Sequence, residues 1–196
     1  QKQAFERGLT SSSEVLCGEV AKDILRWLKS KDMLGFSHTI LCGPGFNGGD
    51  GYAMALALWR MEGIKCQVVS VFPPGNNVLE RMRQEVQEVG IDIVSLDAME
   101  PTEIVIDAIF GINGRAIDRA LLAALNSKVA NAQIIAIDCP TGIGGVDVLF
   151  ADYTLAVGAV HPWCVTGEKL GCIGELDLVY PFNVAPVSNV ILNLDV

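Results

Sequence analysis

Apolar residues follow two alternating patterns along the chain: short continuous runs, typical of buried strands, and longer stretches with helical spacing. The short runs predict strands at about residues 39–42, 66–72, 92–96, 103–109, 133–138, 153–157 and 175–179. Helical spacing predicts helices at about residues 13–29, 51–61, 78–89 and 116–129. Strands separated by helix-length segments imply right-handed crossovers and a parallel sheet. The pattern therefore predicts the α/β class, a Rossmann-like, doubly wound, mostly parallel sheet with helices on both faces in three layers.

Composition agrees with one domain that buries its sheet. The chain has 196 residues, of which 51% are hydrophobic and 19% charged, and its mean hydropathy is +0.39. We expect a single domain over residues 1–196, because this length supports one core and no composition shift divides it. A net charge of −9 repels phosphate backbones and argues against a nucleic-acid partner.

The expected compartment follows from the cysteines and the chain start. No run approaches the roughly 18 apolar residues of a membrane span. Six cysteines without a CxxC pair indicate buried thiols in a reducing compartment, so the expected localisation is cytoplasmic. The first residue is Gln, so we expect the native start to be missing and leave organelle targeting open.

A glycine-rich turn, GPGFNGGDG at residues 43–51, lies between the first strand and a helix. It contains GxGxxG, but no acidic residue ends the second strand, which argues against a dinucleotide dehydrogenase, and no Lys-Ser or Lys-Thr follows as in a Walker A loop. Free N–H groups at a helix start can bind an anion, with Asn47 adding an amide and Asp50 a carboxylate. The alternative is a structural turn in which Asp50 caps the helix.

Two later strands each end in an aspartate. Asp107 lies in VIDAIFG at residues 105–111 and Asp138 in AIDCPTG at residues 136–142, where Thr141 follows. A carboxylate in so apolar a run needs hydrogen bonds or a cation. Each aspartate alone is equally consistent with capping a turn, but both beside the glycine turn favour a functional site. His161 follows a later strand, and a lone histidine is more often structural than catalytic.

Taken in order, GPGFNGGDG, VIDAIFG, AIDCPTG, TLAVGAVHPW and GELDL resemble the YjeF N-terminal domain family over about residues 13–182. That family includes the NAD(P)HX epimerases, which interconvert the R and S forms of hydrated NADH and NADPH for metabolite repair. The resemblance implies an isomerase whose substrate is NADHX or NADPHX. It further implies a homodimer and a functional link to an ADP- or ATP-dependent NAD(P)HX dehydratase.

The resemblance also implies the site residues. Those expected to contact the dinucleotide are Phe46, Asn47, Gly48, Gly49, Asp50, Gly111, Ile112, Asn113, Gly114, Arg115, Ala116, Ile117, Asp138 and His161. A potassium ion is expected at Asn47, Asp107 and Thr141, and these oxygen ligands are the type that hard cations prefer. Because Asp107 is then committed to the cation, Asp138 is the expected catalytic proton carrier.

The sequence departs from the family pattern at three of these positions. Phe46 replaces an asparagine, Thr141 a serine and His161 a lysine, and the loop after Gly142 is shorter than usual. Threonine keeps the hydroxyl oxygen, whereas Phe46 and His161 change the chemistry. An alternative to the epimerase is therefore a non-catalytic nucleotide-binding or protein-interaction domain of the same family.

Overall fold

The predicted alternation of strands and helices is present in the computed structural model of the chain, which describes residues 13–111, 117–143, 145, 147–164 and 172–179. The strands are β1 (His38–Cys42), β2 (Gln67–Ser70), β3 (Ile93–Val94), β4 (Ile104–Ala108), β5 (Gln133–Ile137), β6 (Tyr153–Val157) and β7 (Glu175–Val179). The α-helices are α1 (Ser13–Ser30), α2 (Phe46–Glu62), α3 (Asn77–Glu88) and α4 (Arg119–Val129). Short 3-10 turns occupy Met33–Gly35 and Pro162–Cys164.

The seven strands form one sheet in the order β3-β2-β1-β4-β5-β6-β7, and every neighbouring pair is parallel. All five residues of β1 and of β4 are buried, as expected for central parallel strands covered on both faces. Ile106 packs in a core with α1, α2 and α3, whereas its neighbour Val105 packs against α4. The predicted parallel α/β fold is confirmed, with three of the described helices on one face and one on the other.

Helix α2 begins at Phe46, so the prediction that residues 43–50 form a turn before a helix at residue 51 was wrong. A Cβ atom on Gly48 would lie 2.0 Å from the carbonyl oxygen of Gly43, and one on Gly51 would lie 2.8 Å from Cys42 Sγ. These glycines bring the first turns of the helix against the strand ends, where any side chain would prevent the approach. Packing therefore offsets the low helix propensity of glycine.

Several other boundaries differ by a few residues. The helix predicted at residues 116–129 begins at Arg119, because Asp118 caps it by accepting hydrogen bonds from the N–H groups of Ala120 and Leu121. The predicted strand at residues 133–138 ends at Ile137, since Asp138 has a left-handed φ of 67° that a strand cannot contain.

Helix α1 joins the start of the described chain to the far edge of the sheet. Trp27 Nε1 donates a hydrogen bond to Asp177 Oδ2 at 2.7 Å, and its ring packs edge-on against Tyr153 with 5.0 Å between centroids.

Across the part of the chain that the structure describes, no helix combines the length and apolar character of a membrane span.

Candidate functional site

The glycine turn lies where the order of the strands reverses direction. From β1 the chain proceeds outward through β2 and β3, and then returns to β4 on the other side of β1. The Gly43 N–H donates to the Ala108 carbonyl oxygen at 3.1 Å, which joins the carboxyl ends of β1 and β4. A Cβ atom on Gly43 would lie 1.8 Å from the Ile109 oxygen, so only glycine allows this contact. Crevices at such switch points are where doubly wound sheets bind ligands.

The N-terminus of α2 carries no side-chain cap. Gly45 occupies the cap position and supplies no side-chain hydrogen bond, whereas Asn76 caps α3 by accepting from Val78 and Leu79. A Cβ atom on Gly45 would meet nothing within 4 Å, so this glycine, unlike Gly43, faces open space. An uncapped helix start leaves N–H groups and the positive end of the helix dipole available to an anion.

Asp107 is completely buried and is compensated by hydrogen bonds. Its Oδ1 accepts from the Thr141 hydroxyl at 2.8 Å and from the Ile109 N–H at 3.1 Å, and its Oδ2 accepts from the Thr141 N–H at 2.7 Å. Burial raises its pKa to about 6, although the three hydrogen bonds act to lower it. Asp107 therefore holds the Thr141 turn against β4 and is not exposed to solvent.

Asp138 directly follows β5, the strand next to β4. Its side chain is 9% exposed and its Oδ1 accepts the Val157 N–H at 3.1 Å. Burial raises its pKa, while the Val157 N–H and the nearby charge of His161 lower it. A positive φ is uncommon for a residue other than glycine and is often retained at functional sites.

Gly111 and Asn47 converge on Asp138. A Cβ atom on Gly111 would lie 2.9 Å from Asp138 Oδ2 and 3.5 Å from Asn47 Oδ1. Asn47 Nδ2 donates to the Ile137 carbonyl oxygen at 3.2 Å, which directs its Oδ1 toward this space. That oxygen is buried and accepts no hydrogen bond among the described residues. The two polar side chains and the Gly111 backbone, which come from the first turn of α2 and from the segments just after β4 and β5, therefore form one polar cluster at the switch point.

Residues 13–163 match the sequence model of the family described as YjeF-related protein N-terminus. The chain belongs to this family. It is 27% identical to the bifunctional NAD(P)H-hydrate repair enzyme Nnr of Escherichia coli, over 82% of this chain and 31% of that enzyme. It is also 31% identical to the NAD(P)H-hydrate epimerase of Limosilactobacillus reuteri, over 53% of this chain and 51% of that protein.

The chain spans about a third of the length of the bifunctional enzymes that it matches. Its fold is similar to that of a solved structure, yeast ynu0, YNL200c, with a TM-score of 0.66 over 89% of this chain and 79% of that one. Sequence identity in that comparison is 19%, so it supports the YjeF-type fold and not a shared activity.

The remaining expected contact residues have different environments. Phe46 is 49% exposed at the start of α2, whereas Asp50 is fully buried in the same helix and does not cap it. Burial and the Asp50 carboxylate raise the pKa of the neighbouring Cys17. His161 and Ile117 are half-buried. The expected contacts Ile112, Asn113, Gly114, Arg115 and Ala116 lie outside the described residues.

Sequence reasoning missed two contacts at this site, both between residues distant in the chain. The Val157 N–H that holds Asp138 is a backbone group, so no residue type indicated it. The Sγ atoms of Cys139 and Cys164 lie 3.4 Å apart, whereas the prediction from sequence was of buried thiols without a particular pairing. All six cysteines are indeed free and buried, as expected.

Two surface grooves lie away from the polar cluster. One, of about 710 Å³, runs between α1, α2 and α3. The other, of about 450 Å³, lies beside α4 and Phe150. Neither is lined by any of the expected site residues, so the chemistry of the switch point, rather than groove volume, identifies the candidate site.

Proposed function

We propose that this domain is an NAD(P)H-hydrate epimerase, which interconverts the R and S forms of hydrated NADH or NADPH. The observation that carries the proposal is the convergence of Asp138, Gly111 and Asn47 beside the uncapped start of α2. An anion site and a proton-carrying carboxylate then lie together, as a dinucleotide substrate requires. Relatives named NAD(P)H-hydrate epimerase support the same activity.

The first turn of α2 binds the pyrophosphate in this proposal. Its N–H groups are supplied by the backbone, so the change from asparagine to Phe46 leaves them in place. Open space above Gly45 allows a phosphate oxygen to approach the helix start closely. The net charge of −9 gives no long-range attraction for the ligand, so local dipoles of this kind provide the affinity.

Asp138 carries the proton in the reaction. The hydroxyl-bearing carbon of the substrate adjoins the ring nitrogen, whose lone pair forms a C=N bond as the hydroxyl group leaves. The acid form of Asp138 protonates the departing hydroxyl group, which becomes water. Water then adds to the opposite face and returns its proton to the carboxylate, with the C=N electrons returning to nitrogen. Burial raises the pKa of Asp138 and so favours the acid form that the first step uses.

A potassium ion held by Asn47, Asp107 and Thr141 is also part of this proposal. Within the described residues, no three His, Cys, Asp or Glu side chains come together as a metal cluster. The proposed ligands are instead one carboxylate, Asp107, with the neutral oxygens of Asn47 and Thr141. The buried Oδ1 of Asn47, which accepts no hydrogen bond from the described residues, supports this assignment. A bound ion would supply positive charge near the pyrophosphate.

The assay of choice follows the equilibration of purified S-NADHX by NMR or chiral chromatography. We expect the wild type to speed equilibration above the rate in buffer. Asp138→Asn removes the proton carrier but keeps its shape, so we expect loss of turnover with affinity within about tenfold. If the wild type is no faster than buffer yet binds the dinucleotide, the domain is not an epimerase.

A non-catalytic binding domain is the second candidate, and Phe46 favours it. This ring is 49% exposed at the helix start, where the family resemblance implies a polar amide. In that case both the wild type and Asp138→Asn bind dinucleotide and neither accelerates equilibration. For the catalytic candidate, a functional link to an NAD(P)HX dehydratase is a further part of the proposal, supported by relatives that are named bifunctional repair enzymes. A homodimer is also proposed, on the family resemblance alone.

A further inference from the structure

Two cysteines that the proposed reaction does not use lie side by side next to Asp138. Cys139 and Cys164 are 25 positions apart in sequence, and their Sγ atoms are separated by 3.4 Å. Their exposed fractions are 1% and 0%, and they pack in a small apolar cluster with Ile143 and Ile173. Of the six thiols, this is the pair for which the structure gives a direct sulfur–sulfur contact.

The backbone on both sides of the pair is held in place. The Cys139 N–H donates to the Ile137 oxygen at 2.9 Å, and the Cys164 N–H donates to the His161 oxygen at 2.9 Å. Cys139 follows a central strand, whereas Cys164 ends a 3-10 turn of three residues. A disulfide needs sulfur atoms about 2.05 Å apart, so closure requires a movement of only about 1.3 Å, which the short turn can absorb more easily than the strand.

We propose that Cys139 and Cys164 form a reversible disulfide and are an oxidation site of this domain. Hydrogen peroxide is the oxidant: one thiol loses its proton and its sulfur attacks the peroxide, which gives a sulfenic acid, and the leaving hydroxide takes up that proton to become water. The second thiol attacks the sulfenic sulfur, which forms the S–S bond and releases a second water. Two thiols thus lose two electrons and two protons, and the peroxide is reduced to two waters.

The disulfide would act on the candidate site through Asp138. This residue directly precedes Cys139, and its carbonyl oxygen lies 3.8 Å from Cys164 Sγ. His161 begins the segment that leads to Cys164. Drawing the sulfur atoms together shifts these two segments relative to each other, and catalytic geometry tolerates only about 0.5 Å. We therefore expect the oxidised form to bind the dinucleotide more weakly, a consequence that rests on the proposed function.

The covalent part is tested by treating the full chain with hydrogen peroxide and mapping the cross-links by mass spectrometry. We expect a mass loss of about 2 Da, consumption of two thiols, a peptide linking Cys139 to Cys164, and full reversal by dithiothreitol. Cys66→Ala, which removes a buried thiol outside the pair, should leave the cross-link intact, whereas Cys164→Ala should remove it. Absence of the cross-link in the wild type, or overoxidation without it, overturns the proposal whether or not the variants fold.

Binding is measured separately, by calorimetry with hydrated NADH after the peroxide has been removed. We expect the disulfide form to bind at least about fivefold more weakly than the reduced form, with recovery on reduction. Equal affinities in the two forms would refute the coupling to the site. Absence of binding in both forms would instead count against the proposed function and would leave the mapped disulfide standing.

Discussion

At the scale of single residues, the candidate site depends on close contacts between backbone and side chains. Gly111 brings its backbone close enough to Asp138 and Asn47 that even a methyl group would contact both. Asp107 lies in β4 and Asp138 directly follows the neighbouring β5, but the two carboxylates have different environments. The two carboxylate oxygens of Asp107 accept three hydrogen bonds from within the protein, whereas Asp138 Oδ2 faces the Gly111 backbone. This difference favours Asp138 over Asp107 as the proposed proton carrier.

Gly111→Ala should damage the site and leave the fold intact. The new methyl group would lie 2.9 Å from Asp138 Oδ2, so it must displace this carboxylate. We expect dinucleotide affinity, measured by calorimetry, to fall by at least about tenfold, which corresponds to about 1.4 kcal/mol. Gly18→Ala is the matched control, because its Cβ atom meets nothing within 4 Å. It should keep the affinity and stabilise α1 by up to about 1 kcal/mol. Equal affinity in the two variants would contradict the location of the site.

Potassium should stabilise the protein through Asn47. A ligand at tenfold excess over its Kd adds about 1.4 kcal/mol of stability, which raises Tm by about 3–5 °C in a domain of this size. We expect this rise in potassium chloride and not in choline chloride at equal ionic strength. Asn47→Ala, which removes the buried Oδ1, should lose the potassium-specific increment. Identical shifts in both salts, or an undiminished shift in the variant, would rule out the proposed ion site.

At the scale of elements, the sequence predicts the class of fold well and the helix starts poorly. The spacing of apolar residues predicts all seven strands and the four described helices, because a buried strand and a helix with one buried face leave different apolar patterns in the sequence. The start of α2 at Phe46 escapes prediction since glycine has low helix propensity. The packing of Gly51 against β1 and β4, and of Gly48 against the Gly43 backbone, is a tertiary effect. Tertiary contacts limit the prediction of the site in the same way. The motifs indicate Asp107 and Asp138, but not that Asp107 is the one completely buried.

Gly48→Ala tests this packing of α2. Its Cβ atom would lie 2.0 Å from the Gly43 carbonyl oxygen, and backbone cannot move aside as a flexible side chain can. We expect a loss of about 3 kcal/mol in the free energy of unfolding, measured by urea denaturation. Gly45→Ala, whose Cβ atom meets nothing within 4 Å, should cost no more than about 1 kcal/mol. Equal losses would mean that the close approach of α2 to the strand ends is not a determinant of stability.

At the scale of the whole molecule, the carboxyl ends and the amino ends of the strands are chemically distinct. The candidate site gathers at the carboxyl ends of the strands, whereas His38 begins β1 at the other end and is 1% exposed. Its burial at the start of β1, away from Asp138, indicates a structural role. The contact between Trp27 and Asp177 spans 150 positions and was not foreseeable, since nothing local in either segment indicates its partner.

His38 should make stability depend on pH independently of the site. Burial lowers its pKa below the ordinary 6.5, more than the backbone of Met33 and Phe36 raises it. The folded state thus disfavours the protonated ring, so this contribution to stability is fully present above pH 6.5 and is lost as the pH falls toward the folded pKa. Relative to His38→Leu, the wild type should lose up to about 1.4 kcal/mol per pH unit in that window.

The comparison with His38→Leu matters because a buried carboxylate acts in the opposite direction. The pKa of Asp107 is raised to about 6, so its contribution to stability is lost as the pH rises, and the wild type alone reports a sum. Both proteins contain Asp107, so the difference between their free energies of unfolding, measured by urea denaturation between pH 5 and 8, removes its contribution. His161→Gln, which changes the other histidine, should retain the dependence on His38. A difference between wild type and His38→Leu that stays constant across this range would show that His38 is protonated without cost in the folded protein.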